Sequence, residues 1–530
     1  MARATVFNTT ILGVETTKGT ANAPVRRLQA TGFALKPNVP VEPFTPMGSK
    51  YATTAVRQKE FTDGEIEGVV AFNDLCYLLQ SCLCQAVVTT PSGATNTRRW
   101  VWNPAVFGPD NNVSFTCQYG SSAGAEQAVY LLVNGLTMRF TKEEASVSGD
   151  LLARVMTEAV TLTTGRNAKY TVTKGTHTGG TYTLTYAAQT TANIAFDATA
   201  AAVDAALEAL STIGVGEVSV TGPAGGPWII EFTAGLGSAP QTLTATFTNL
   251  TGGASPAITS LVTGVTLADV PELPVDPDLV SIYVGDAITN EVQTITVQAT
   301  GGTLTLTYDG ATTGNIAENA TGATVQTALE GLSTLQVGDV GVTGAAGGPW
   351  VVTFGGNLAG INVPAITFDD SLLTGITLPA VAVVETTPGG LTKLTKALEF
   401  EWSIGNRFSG EMTLDAAEDS FTEHIERAPE HSVNLVVEHD SIAAGYMTSM
   451  RNKTTKYLQL EAIGPVIETV SSQPFYYRLK MLFAFKFIDN DRGDQDDVYA
   501  STFVLQPIYN TTVGGVIKVT IENALAGLES

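Results

Sequence analysis

Residues 179–232 of this chain occur twice. Gly179-Gly-Thr-Tyr-Thr-Leu-Thr-Tyr186 returns as Gly301-Gly-Thr-Leu-Thr-Leu-Thr-Tyr308, and Gly225-Gly-Pro-Trp-Ile-Ile-Glu-Phe232 returns as Gly347-Gly-Pro-Trp-Val-Val-Thr-Phe354. Between them, Ala205-Ala-Leu-Glu-Ala-Leu-Ser-Thr212 matches Thr327-Ala-Leu-Glu-Gly-Leu-Ser-Thr334. The offset is 122 residues throughout, with about 34 identities in 54 positions and no gap. A duplication that holds register this long marks a folding unit present in two copies.

Within each copy, Thr181 to Tyr186 alternates Thr with Tyr and Leu, the period of a half-buried strand. Asp197, or Asn319 in the second copy, is an N-cap type before a helical stretch. Val203, Ala206, Leu207 and Leu210 then form one apolar helix face, repeated by Val325, Ala328, Leu329 and Leu332. Strands at 217–221 and 228–232 follow, parted by a Gly-Pro turn. The expected unit is a small α+β module, strand-strand-helix-strand-strand.

The boundaries expected from this are 1–165, 265–289 and 387–530 for one discontinuous host domain, with inserted modules at 166–264 and 290–386. The reading turns on Leu279-Val-Ser-Ile-Tyr-Val284, a plausible host strand showing between two insertions. A tandem pair joined by a Pro-rich linker is the alternative. The host segments are β-rich with one clear helix. Leu75, Leu78, Leu79, Cys82 and Leu83 make its stripe, as for a helix laid on a sheet. Strand-like runs include 130–133, 136–140, 398–402, 433–438 and 479–487. Residues 36–62 read as a long polar excursion carrying Pro37, Pro40, Pro43 and Pro46, and such excursions often meet a neighbouring subunit. Asp489 to Asp497 reads as a disordered or inter-subunit acidic loop.

Charge narrows the function. Against 28 Lys and Arg stand 51 Asp and Glu, a net charge of −23. Phosphate binding runs on cations, so a nucleic-acid clamp and an anionic membrane surface are both poor partners. No uninterrupted apolar window is long enough for a transmembrane helix, and the start lacks a signal-peptide core. Cys76, Cys82, Cys84 and Cys117 have neither metal-site nor disulfide-framework spacing. Reduced, buried thiols in a protein made in a cytoplasm are expected.

His424, His431 and His439 cluster beside Glu426, Glu430, Glu438 and Asp440, but a spacing of seven places the first two on opposite faces of a strand. The acidic run has Gly493 where a calcium loop wants Asp or Asn. Gly222-Pro-Ala-Gly-Gly-Pro227 lacks the Gly-Lys-Ser/Thr of a phosphate loop. No catalytic residue, metal ligand or cofactor is assigned, and the chain is expected not to be an enzyme.

The host segments resemble the major tail tube proteins of long-tailed, siphovirus-type actinobacteriophages. Phe33-Ala-Leu-Lys-Pro37 through Ser49-Lys50-Tyr51, then Gly64 to Leu79 and Tyr119 to Arg154, are similar to the N-terminal half. Val280 to Gly285, Leu398 to Arg407 and Asp497 to Asn523 are similar to the C-terminal half. The duplicated module resembles a repeat appended to phage virion proteins and some bacterial surface proteins. The resemblance implies a mainly β fold, a tail-tube β-sandwich with one flanking helix. It also implies hexameric rings stacked into a tube that encloses a tape-measure protein and conducts DNA without binding it specifically. Tail terminator and baseplate proteins would be further partners, with no membrane involved and the virion as the site of action. Ser49, Lys50, Tyr51 and Thr54 are the expected contacts between rings. The modules are expected outside the tube and dispensable for it. A bacterial repeat adhesin and a phage capsid or decoration protein remain alternatives.

Overall fold

Alternation of polar with apolar residues commits about half of the chain to strands, and the fold is mainly β. The computed structural model describes residues 8–91, 93–121, 124–163, 165–375, 379–470, 473–495 and 497–529. In the host segments, 19 strands join in one barrel-like hydrogen-bonded system. Its main run passes through Thr31–Asn38, Phe61–Val69, Ala145–Ala153, Gly124–Thr141 and Ala397–Gly405, each antiparallel to the next. It continues through Glu430–Glu438, Val498–Ile508, Gln473–Gln495, Lys456–Val470 and Val280–Gly285. Val280–Gly285 therefore lies in the host sheet, also paired with Leu391–Lys393.

Two runs that read as separate strands form a single long one. Residues 130–133 and 136–140 belong to Gly124–Thr141, with a bulge between Val133 and Gly135 that lets one strand bend around the core.

The described residues hold four α-helices: α1 (Asp74–Cys82), α2 (Ala200–Glu208), α3 (Gly322–Glu330) and α4 (Ser441–Arg451). All nine residues of α1 are buried, so it is enclosed and not laid on one open face as its stripe suggests. Its polar side chains survive burial by accepting backbone protons. Asp74 Oδ2 accepts from Ala30 N at 3.0 Å, Gln80 Oε1 from Ala86 N at 2.8 Å, and Ser81 Oγ from Val133 N at 2.9 Å. Helix α4 was not expected, because Gly445 and its Ser and Thr residues dilute the period. Asp440 nevertheless caps it, accepting from Ile442 N and Ala443 N, while Ala443 and Tyr446 are buried.

The two modules repeat one architecture. In each, a four-stranded sheet runs 218–221, 228–232, 169–173, 257–262, or 340–343, 350–354, 292–297, 381–387. Each packs its own core, around Trp228 and Trp350, separate from the host core. The helices begin two residues later than the sequence suggests. Thr199 and Thr321, not Asp197 and Asn319, are the caps, accepting from Ala202 N and Thr324 N. The carbonyls of Ala198 and Ala320 just before them take the indole protons of Trp228 and Trp350, which pins the helix start to the core.

Burial pushes the Asp74 carboxyl up to about 6, with the Ala30 amide pulling the other way, and Oδ1 has no partner among the described residues. The folded protein thus holds a proton that the unfolded chain has released, so stability falls as pH rises from about 4 to about 6 and stays lower above. Asp74→Asn keeps the acceptor for Ala30 and removes the charge. The variant should gain up to about 3 kcal/mol near pH 7.5 and nothing near pH 4. Urea denaturation at both pH values checks this, and an equal gain at both would clear Asp74 of the penalty.

Candidate assembly surface

A strand ladder that outruns its core has to project. The pairing of Thr31–Asn38 with Phe61–Val69 ends at Asn38 and Phe61, and Val41–Phe44 paired with Thr54–Arg57 carries the ribbon onward. Every residue of those last two strands is exposed. The expected polar excursion is therefore a β-hairpin, and among its exposed polar residues it also presents large apolar ones. Phe44 is 54% exposed, Tyr51 73% and Met47 fully, with Val41 and Val56 also open. Single exposed apolar residues are ordinary, whereas five on one arm make it the candidate assembly surface.

The arm is fixed at its base and free at its tip. Lys59 Nζ donates to the Asp415 carbonyl at 2.8 Å and to that of Glu418, while Glu60 N donates to Asp419 O at 3.0 Å. At the tip, Ser49 Oγ donates to Tyr51 O at 2.6 Å, and the Lys50 ammonium lies 5.9 Å from the centre of the Tyr51 ring. Ser49, Lys50 and Tyr51 are thus gathered in the turn, while Thr54 sits back on the arm opposite Phe44. Val41, Phe44, Met47 and Val56 were missed. The alternation in Val41-Glu-Pro-Phe44 and Thr54-Ala-Val-Arg57 was the available signal, masked by the prolines.

A second ribbon pairs Gln473–Gln495 with Val498–Ile508. The run from Asp489, expected as a disordered or inter-subunit loop, is strand as far as Gln495, because the ladder resumes after a bulge between Phe487 and Asp489. Ile488 and Tyr499 stand exposed on it.

The histidines have separate surroundings. His424 Nδ1 lies 3.0 Å from Tyr130 Oη with its ring edge against Phe408, and His431 lies near Trp402. Burial holds both imidazoles down at about 4, so both are neutral at physiological pH. His439 Nδ1 is 2.7 Å from Ser501 Oγ. Among the described residues no three His, Cys, Asp or Glu side chains converge as metal ligands. All four cysteines are free and buried. Burial pushes Cys84 up to about 11 and Cys82 to about 12, away from the thiolate a nucleophile needs. No described helix is long and apolar enough to cross a membrane.

No protein-family model matches the chain. Over 82 residues it is 43% identical to the tail sheath protein of Mycobacterium phage Bxz1. That stretch is 16% of this chain and spans only 13% of the relative's length.

Proposed function

We propose that the chain is a structural protein of a phage tail. The finer reading is that its host segments, 1–165, 265–289 and 387–530, form stacked hexameric rings of a tail tube, with modules 166–264 and 290–386 as insertions. The observation that carries it is the anchored hairpin at 41–57, which exposes Phe44, Met47 and Tyr51 beyond the core. An arm of that kind needs a neighbouring copy to cover it. The likeness to a tail sheath protein supports the tail setting. In this reading the tube encloses a tape-measure protein, joins terminator and baseplate proteins at its ends, and conducts DNA. The acid excess suits a wall along which DNA slides, provided the charge lies at the lumen, since salt screens beyond about 8 Å.

The relative's name favours one other reading, a sheath around a tube made by another protein. Electron microscopy of the purified chain decides among these. Narrow tubes formed by the chain alone support the tube, assembly only around an added core tube supports the sheath, and closed shells or monomers that persist even with the core tube refute both. In a reconstruction of the tubes, the inner wall should be acidic or neutral. A wall lined with Lys and Arg clusters would overturn the sliding argument.

A further inference from the structure

The two modules share a fold, yet among the described residues the second makes the more extensive side-chain contact with the host, and the first reaches it through Arg166 alone. Asn357 is the centre of that contact. Its carbonyl accepts from Lys480 Nζ at 2.9 Å, its Oδ1 lies 3.4 Å from Arg99 Nη2, and its Nδ2 donates to Gln336 Oε1 at 2.7 Å. Gln336 Nε2 reaches across to the Pro474 carbonyl at 3.1 Å. Asp339 holds both residues in place, accepting from Asn357 N at 2.8 Å and Gln336 N at 2.9 Å.

Charge balance ties this contact to the host. Arg478 pairs with Glu461 at 2.6 Å, Arg99 with Glu522 at 2.6 Å, and the Lys480 ammonium lies among Glu461, Glu522, Asp339 and Arg478. The host alone thus supplies three cations and two carboxylates, and Asp339 of the second module is the third carboxylate. Burial lowers the Lys480 ammonium to about 8, while Glu461, Asp339 of the second module and Glu522 pull the other way. The neck adds backbone bonds, Leu391 N to Gly360 O at 2.7 Å and Asn362 N to Leu391 O at 2.8 Å.

Shifted by 122 residues, Gln336, Asp339 and Asn357 become Gly214, Glu217 and Gly235 in the first module. The two glycines have no side chain to offer. Glu217 turns back on its own loop, accepting from Gly214 N at 2.6 Å and filling the place where a side chain at 235 would begin. Val215 is 90% exposed where its counterpart Val337 is 40% exposed. Among the described residues, the hydrogen bonds made by 168–262 stay within the module and its neck, where Gly165–Arg166 pairs with Val265–Thr266. An ion pair from Arg166 in that neck to Glu529 is its described side-chain tie to the host.

We infer that Gln336, Asp339 and Asn357 lock the second module onto the host wall, and that the first module, lacking all three, is tethered by its neck and turns on it. The inference holds whichever particle the chain builds.

Time-resolved fluorescence anisotropy of the full, unassembled chain tests it. Ala205→Cys and Thr327→Cys place a dye at the same exposed point of the two helices, and the native thiols are buried. The dye on Ala205→Cys should show a segmental phase faster than whole-chain tumbling, and the dye on Thr327→Cys should not. Adding Gln336→Gly and Asn357→Gly should give the second module the same fast phase. Lys480→Met, which leaves the module's own sequence intact, should do so too and guards against a locally misfolded loop. Equal decays for the two dyes in the parent chain would overturn the inference. So would a Thr327→Cys decay unchanged by both the double substitution and Lys480→Met.

Discussion

Replacing Arg407 with alanine should destabilise the host domain by about 3–5 kcal/mol, the usual range for stripping one partner from a buried ion pair. The Arg407 side chain is 2% exposed and serves two structures at once. Its Nε donates to Cys82 O at 2.8 Å and its Nη2 to Leu83 O at 3.1 Å, satisfying carbonyls at the C-terminal end of α1 where the helix dipole favours a cation. The same guanidinium pairs with Asp110 at 2.9 Å and Glu426 at 3.0 Å. Alanine takes the cation from two acids and a donor from two carbonyls, of which Leu83 O keeps Asn112 Nδ2 at 3.1 Å. Burial already raises the Asp110 carboxyl. Arg407→Lys should recover only part of the loss, because a single ammonium lacks the planar fork that reaches both sides. Urea denaturation of the unassembled chain measures this. A loss below about 1 kcal/mol would mean that α1 holds its place without the arginine.

Cutting the ribbon back at Pro43 and Ala55, with residues 44–54 replaced by Asn-Gly, should abolish assembly and leave the monomer as stable as before. Pro43 and Ala55 are cross-strand partners, so a two-residue turn can close the shortened hairpin in register. The removed residues include Phe44, Met47 and Tyr51, none of which belongs to a host core cluster. Folding therefore loses nothing, whereas an interface would lose three large apolar anchors. Sedimentation and electron microscopy read the outcome. Assemblies of normal length and yield would remove the hairpin from any contact between copies. A drop in monomer stability would mean the tip packs on its own chain.

The structure distinguishes the two modules. From sequence, both read as dispensable appendages. Among the described residues, removing 290–386 uncovers the charge set at Lys480, whereas removing 166–264 takes away the Arg166 partner of Glu529.

The features legible in the chain alone are local and periodic. The duplication, the strand alternation of 181–186, the helix stripes at Val203 and Val325, and the stripe of α1 all follow from side-chain spacing within one element. A dipeptide cap such as Asp440-Ser441 was legible too, though it went unread beside a diluted helix period. Pairings between residues hundreds of positions apart emerge only in the folded protein. Arg407 meets the end of α1 across 325 residues, Arg99 meets Asn357 across 258, and Lys59 meets Glu418 across 359. Each such residue looks like an ordinary surface polar group in its own stretch. Its role exists only once the sheet brings a desolvated partner to it, because burial is what turns a weak polar contact into one the fold depends on.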